Sequence, residues 1–222
     1  MRSLHWATRL ELALAGPTAA RVLDRKSILR LAQAARPGVS EPTVERWIQD
    51  AVGAERLQRV VRGLYLNRLI SPPAQLAEAA AWLRQGAVVS LQTVLGDAGV
   101  CDNDTGSLTA IVPLSRRNTT PSLGRVEGTS GTFVFRGVSQ RLLEFGREED
   151  RLASGMGYRR ATPEAALVHW LHLSHSQRSR MPPPPLDCDL RSLDSRKLRR
   201  LAGVMNLSAE LKSWLVSGWY AT

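Results

Sequence analysis

Three sets of residues in this chain have types and spacings that could do chemistry, and each implies a different activity. His169, His172 and His175 recur every third residue in HWLHLSH. On a helix the first two could share a metal, with Cys188 as a further thiol ligand, but a zinc site needs three or four such ligands and no matching Cys/His pair sits elsewhere. Asp97, Asp102, Asp104 and Glu127 are the carboxylates that a metal-dependent nuclease would use. Asp102 and Asp104 lie in an Asp-Asn-Asp-Thr-Gly run, which is turn chemistry first, and no lysine follows Glu127 at useful spacing. The glycines form no Gly-Lys-Ser/Thr phosphate loop, and a serine triad has no elbow motif to support it. No catalytic residue, no metal and no cofactor is expected. The third set, Thr43, Arg46 and Gln49, is of the kind that reads base edges in duplex DNA.

Those three residues need a helix to present them. In DRKSILRLAQAARPG, Asp24 is a candidate N-cap, Ile28, Leu31, Ala32 and Ala35 repeat at helical spacing, and Pro37-Gly38 stops the helix. A second helix follows, with Ser40 as its candidate N-cap and Pro42 in its first turn, where a missing N–H costs nothing. Val44, Trp47, Ile48 and Ala51 fall on one face, while Glu45, Arg46, Gln49 and Asp50 take the other. LQRVV and LYLNR are then short strands around Arg62-Gly63, which suits a tight hairpin. Helix–turn–helix followed by a basic hairpin is the order of a winged helix-turn-helix, whose second helix enters the major groove. In that frame Arg46 suits guanine and Gln49 adenine, while Ser40 and Thr43 suit phosphate or a thymine methyl. Arg59, Arg62, Arg68, Arg25 and Lys26 would hold phosphates and contribute salt-dependent affinity. Glu41, Glu45 and Asp50 oppose tight non-specific binding. The competing reading is an ordinary helical hairpin with a solvated β-hairpin behind it.

The chain has 222 residues and a formal net charge of +10, enough length for one large or two modest domains and a balance that favours an anionic partner. Its two cysteines, Cys101 and Cys188, lie far apart with no CxxC pair, which fits a reducing cytosol and gives no disulfide framework. WATRLELALAG is interrupted by Arg9 and Glu11, so it lacks a signal-peptide core, and no stretch approaches a membrane span. A soluble cytoplasmic protein is expected, with no membrane partner.

The expected fold class is α+β, an amino-terminal winged helix-turn-helix followed by a mixed domain and a helical tail. Residues 4–15 read as an opening helix, and Ser71-Pro72-Pro73 marks the end of a DNA-binding domain over 1–70. A mixed domain spans 74–181. It opens on a helix at AQLAEAAAWLR, continues with a strand and short helix in AVVSLQTVLGDAG, and passes through strands at SLTAIVPL, GRVEG and GTFVFRGV. Residues 144–155 read as loop, and ATPEAALVHWLHL as a helix capped by Thr162 with Pro163 in its first position. Residues 182–222 form a third region, a stiff tetraproline spacer from Pro182 to Pro185 and two helices. The first of these carries Arg191, Arg196, Lys197, Arg199 and Arg200, read as a solvated face over Leu193, Leu198 and Leu201.

Three of these segments, in this order, resemble the AbiEi-type antitoxins, the regulatory half of bacterial AbiE toxin–antitoxin and phage-defence pairs. RVVRGLYLNR is similar to the family's wing, AVVSLQTVLGDAGV to its strand-plus-helix segment, and YRRATPEAALVHWL to its proline-capped helix, with Pro163, Glu164, Ala165 and Leu167 matching. Val168-His169 stands where the family often has Leu-Asp, and Ser90-Leu91-Gln92 lacks its usual aromatic or His residues. The resemblance implies a repressor that binds double-stranded DNA at inverted repeats in its own promoter. It further implies opposition to a genetically linked nucleotidyltransferase-like toxin without a stable complex. A homodimer on DNA is admitted by such repeats and not required by the sequence. Two alternatives stay open: a stand-alone winged-helix regulator with no toxin, and a metal-dependent nucleic-acid enzyme targeted by the winged helix.

Overall fold

A computed structural model describes residues 5–101, 106–114, 123–140, 143, 150–152, 157–177, 179 and 181–219. Among them the chain is a mixed α+β protein with eight α-helices and two sheets. It forms two compact units, Met1–Trp82 with Glu127–Gly131, and Leu83–Val126 with Thr132–Thr222. Among the described residues no helix is long and apolar enough to cross a membrane.

The first unit begins with α1 (Trp6–Ala15), where Trp6, Leu10 and Leu14 turn to the core at helical spacing. Next come β1 (Val22–Asp24), α2 (Arg25–Ala35), α3 (Glu41–Gly53), β2 (Leu57–Val61) and β3 (Leu64–Asn67). Asp24 caps α2, its carboxylate accepting from Ser27 N–H at 2.7 Å. The Ser27 hydroxyl, and then its N–H, hold the Asp24 carboxyl below the usual carboxylate range. The stop at Pro37-Gly38 works as the sequence implies, with Gly38 at φ 80°, a left-handed conformation that glycine adopts without penalty. Leu10, Leu14, Leu23, Ile28, Val44, Trp47, Ile48 and Leu57 make the core, each fully buried apolar side chain stabilising it by about 1.5–3 kcal/mol.

The sheet of this unit has the order β1-β3-β2, antiparallel throughout, with Leu23 opposite Tyr65 and Leu57 opposite Asn67. β1 is absent from the sequence reading. Three residues leading into a helix carry no alternation, and they become a strand only because the far edge of β3 is there to pair with. Ser71-Pro72-Pro73 does not end the unit. Arg21 donates to the Pro72 carbonyl at 3.0 Å and the Pro73 carbonyl at 3.2 Å, and its Nε meets Glu78 Oε2 at 2.6 Å. Instead of one helix over AQLAEAAAWLR there is a 3₁₀ turn (Leu76–Ala79) and one α-helical turn, α4 (Ala80–Leu83).

The chain continues with β4 (Val88–Val89), α5 (Gln92–Asp97), β5 (Ser107–Leu114), β6 (Gly124–Gly128), β7 (Gly131–Ser139), β8 (Asp150–Leu152) and β9 (Arg159–Ala161). Their sheet order is β6-β7-β5-β4-β9-β8. β5 and β7 run parallel, as do β4 and β9, while β4–β5 and β8–β9 are antiparallel. β8 corrects the loop expected over 144–155. Asp150–Leu152 pairs with Arg159–Ala161, and of that stretch 144–149 and 153–155 lie outside the described residues.

Helix α6 (Pro163–His175) is capped as expected, Thr162 Oγ1 accepting from Ala165 N–H. It buries more than the single face of Ala166, Leu167, Trp170 and Leu171, because α5 and β9 pack on it as well as α7 (Ser195–Val204) and α8 (Ser208–Trp219). The tetraproline is a strap held against these helices. Trp170 Nε1 donates to the Pro182 carbonyl at 2.8 Å and Trp214 Nε1 to the Pro184 carbonyl at 3.0 Å. Proline offers only an acceptor and indole only a donor, so the two match. Residues 182–219 therefore join the second unit and form no third region.

Candidate nucleic-acid interface

Helix α3 separates its residues by face. Val44, Trp47, Ile48 and Ala51 are buried, while Thr43, Arg46, Gln49 and Asp50 are exposed. Pro42 sits in the first turn, and Ser40, in place of a cap, shares a hydrogen bond of 2.8 Å with the Thr43 hydroxyl. Neither Arg46 nor Gln49 has a side-chain partner among the described residues, so their donors and acceptors are available to a ligand. Helix α3 packs on β2 and reaches it through Glu55, whose φ of 56° makes the sharp change of direction.

The hairpin turns at Arg62-Gly63, where Gly63 has φ 81° and the ladder is irregular between Arg59 and Val61. Arg59 and Arg62 are exposed and make no side-chain hydrogen bond or ion pair among the described residues, and the same holds for Lys26 on the first turn of α2. Two other expected phosphate contacts are engaged within the unit. Arg25 Nε lies 2.9 Å from Glu45 Oε2, an ion pair whose N–H does not aim at the oxygen, and its Nη2 lies 3.5 Å from Glu41 Oε2. Arg68 Nη1 donates to the Ala74 carbonyl at 2.8 Å. The clamp on Arg25 was missed in the sequence, although Glu41 and Glu45 are four apart and so share a helix face. Arg56, just before β2, pairs with Glu11 and ties the base of the hairpin to α1.

The chain is similar in fold to a solved structure, the crystal structure of RV2827C protein from Mycobacterium tuberculosis. The two share 19% identity at a TM-score of 0.50, covering 98% of this chain and 78% of that chain. No family model and no curated protein matches the sequence. At that identity the likeness concerns the fold alone.

The other candidate constellations are placed in the second unit. His169 is buried, with Nδ1 at 3.0 Å from Ser90 Oγ. Burial pushes its imidazole down to about 3, too weak a base to take a serine proton near neutral pH. Ser90 precedes a sharp strand-to-helix turn, but the residue in the strained conformation is Leu91, at φ 60° and ψ −136°, and it carries no nucleophile. His175 Nδ1 lies 2.9 Å from the Leu171 carbonyl within α6. Among the described residues no three His, Cys, Asp or Glu are grouped to hold a metal. Asp97 accepts from Arg160 Nη2 at 2.7 Å, while Asp102 and Asp104 lie outside the described residues. On α7 the Leu198 and Leu201 side chains are buried, Lys197 meets Glu164 Oε2 at 3.3 Å, and Arg196 and Arg199 face solvent.

Proposed function

We propose that this chain is a sequence-specific DNA-binding repressor whose first unit is a winged helix-turn-helix, with α2 and α3 as the helical pair and β2–β3 as the wing. The observation that carries the reading is the exposed face of α3, where Thr43, Arg46 and Gln49 point away from a fully apolar opposite face. Arg46 and Gln49 can each offer a bidentate pair to a base edge. Arg62, Arg59 and Lys26 add phosphate contacts that position the helix without reading sequence. The clamp of Glu41 and Glu45 on Arg25 lowers the positive charge beside α3, which favours readout over indiscriminate attraction.

The antitoxin role is the finer part of the proposal, and it rests on the resemblance to the AbiEi-type family. The second and third resembling segments are neighbours in the second unit: β4 lies parallel to β9, and α5 packs on α6. Their contiguity supports reading them as one functional piece that opposes a nucleotidyltransferase-like toxin, with the first unit repressing the shared promoter at inverted repeats.

The test is binding of the purified protein to DNA from its own promoter and to scrambled DNA, at two salt concentrations. Promoter-selective binding that survives physiological salt is expected. Arg46→Ala should relax sequence preference by about 1–3 kcal/mol, while Arg62→Ala weakens all sequences alike and flattens the salt slope. Equal, weak binding to both DNAs overturns the repressor reading. Co-expression with the product of a neighbouring nucleotidyltransferase gene tests the toxin partner separately, and continued growth arrest in the presence of this chain removes it.

A further inference from the structure

The only two cysteines of the chain, read from the sequence as unrelated, meet in the second unit. Cys101 follows α5 and is buried. Cys188 follows the tetraproline strap and is half-buried. The Val100 carbonyl accepts from Asp189 N–H at 2.7 Å. That bond joins the residue before Cys101 to the residue after Cys188 and so holds the two segments side by side. A disulfide spans Cα atoms roughly 4.4–6.8 Å apart, so it needs this kind of backbone proximity. The side chains are in contact as well, the Cys188 thiol hydrogen-bonding to Cys101.

We propose that Cys101 and Cys188 form a redox-modifiable pair that closes into an intramolecular disulfide when a hydroperoxide or a small-molecule disulfide of the glutathione type reaches Cys188. With a hydroperoxide such as H₂O₂, the Cys188 sulfur attacks the O–O bond, becomes a sulfenic acid and releases one water. Cys101 Sγ then displaces the hydroxyl from that sulfur, the S–S bond forms and a second water leaves. Two thiols are oxidised by two electrons in all, and the peroxide is reduced to two waters. With oxidised glutathione the same bond forms through a mixed disulfide, and two reduced glutathiones depart.

Two features set the character of the pair. Cys188 is the sulfur that solvent can reach, and Cys101, packed behind it, can only resolve. The hydrogen bond to Cys101, and then burial, push the Cys188 thiol up, so its thiolate is scarce and the reaction is slow. The result is a device for sustained oxidising conditions, in which the crosslink pins the strap that holds Trp170 and Trp214 to the end of α5.

The experiment incubates the full chain with oxidised and reduced glutathione in a fixed ratio, blocks remaining thiols with iodoacetamide and reads the intact mass without reduction. The expected product is a monomer lighter by about 2 Da that carries no alkyl group. Cys101→Ser, which cannot resolve, should instead hold Cys188 as a glutathione mixed disulfide. The oxidised wild type should melt at a temperature higher by roughly 5 °C or more, because the bridge closes a long loop. Repeating the exchange in denaturant should cut the bridged fraction by about tenfold or more, since the fold supplies the proximity. Doubly alkylated protein, a persistent mixed disulfide on the wild type, a disulfide-linked dimer, or a bridged fraction unchanged by denaturant would each overturn the proposal.

Discussion

Replacing Asn67 by leucine, which shares its branched heavy-atom outline but carries bulkier methyl groups, should destabilise the first unit by about 3–5 kcal/mol. Asn67 is completely buried at the end of β3. Its Nδ2 donates to the Leu14 carbonyl at 2.8 Å and the Ala20 carbonyl at 3.1 Å, and its Oδ1 accepts from Leu69 N–H at 3.0 Å. One side chain thus satisfies the end of α1, the chain entering β1 and the chain leaving β3. Each hydrogen bond contributes a net of about 0.5–1.5 kcal/mol, and each partner left dry costs about 1–3 kcal/mol. Leucine would recover roughly 1 kcal/mol through its apolar burial. Since domains are stable by only about 5–15 kcal/mol, the loss is large enough to measure directly. Urea unfolding followed by hydrogen exchange on peptides from α1 and β3 isolates the unit from the rest of the chain. Asn67→Asp, which keeps the shape and loses the donor, should be worse than leucine at neutral pH, because a carboxylate would face two carbonyls. If Asn67→Leu came within 1 kcal/mol of the wild type, the three bonds would not organise this unit and the account of its corner would be wrong.

Changing Glu41 and Glu45 together to glutamine should release Arg25 from its clamp. DNA affinity should then rise several-fold, with a salt slope steeper by roughly 0.9, one more phosphate neutralised; an unchanged slope would mean that Arg25 does not reach the backbone. The second unit should lose stability in mild acid. The unfolded His169 takes a proton near its ordinary value, whereas the buried one waits until about 3. Between those values the unfolded state binds the extra proton, so stability is full above about 6.5 and falls as pH drops, by roughly 1.4 kcal/mol per unit. Unfolding at pH 7 and pH 5 should differ by about 2 kcal/mol. His172, pushed down by burial in the same sense, adds to this loss, whereas Asp24 and Glu164, held low, lose their contribution only below the carboxylate range. His169→Gln should flatten most of that slope, and a slope unchanged in the variant would assign the effect elsewhere.

The sequence by itself determined the features whose causes are local. Asp24 and Thr162-Pro163 start helices, Pro37-Gly38 stops one, and Arg62-Gly63 turns a hairpin, because capping and turn chemistry act within a few residues. The apolar stripe of Val44, Trp47, Ile48 and Ala51 was legible for the same reason, and with it the exposure of Thr43, Arg46 and Gln49 on the other face. Tertiary structure alone decided the features that depend on what arrives from elsewhere in the chain. β1 and β8 are strands because β3 and β9 offer them an edge, and no alternation in three residues announces that. The tetraproline became a strap because Trp170 and Trp214 bring donors to its carbonyls. Arg25 is clamped, His169 is neutral beside Ser90, and Cys101 faces Cys188, because the fold sets side by side residues that no spacing rule connects. Periodicity reports which way a side chain faces, and topology decides what it meets there.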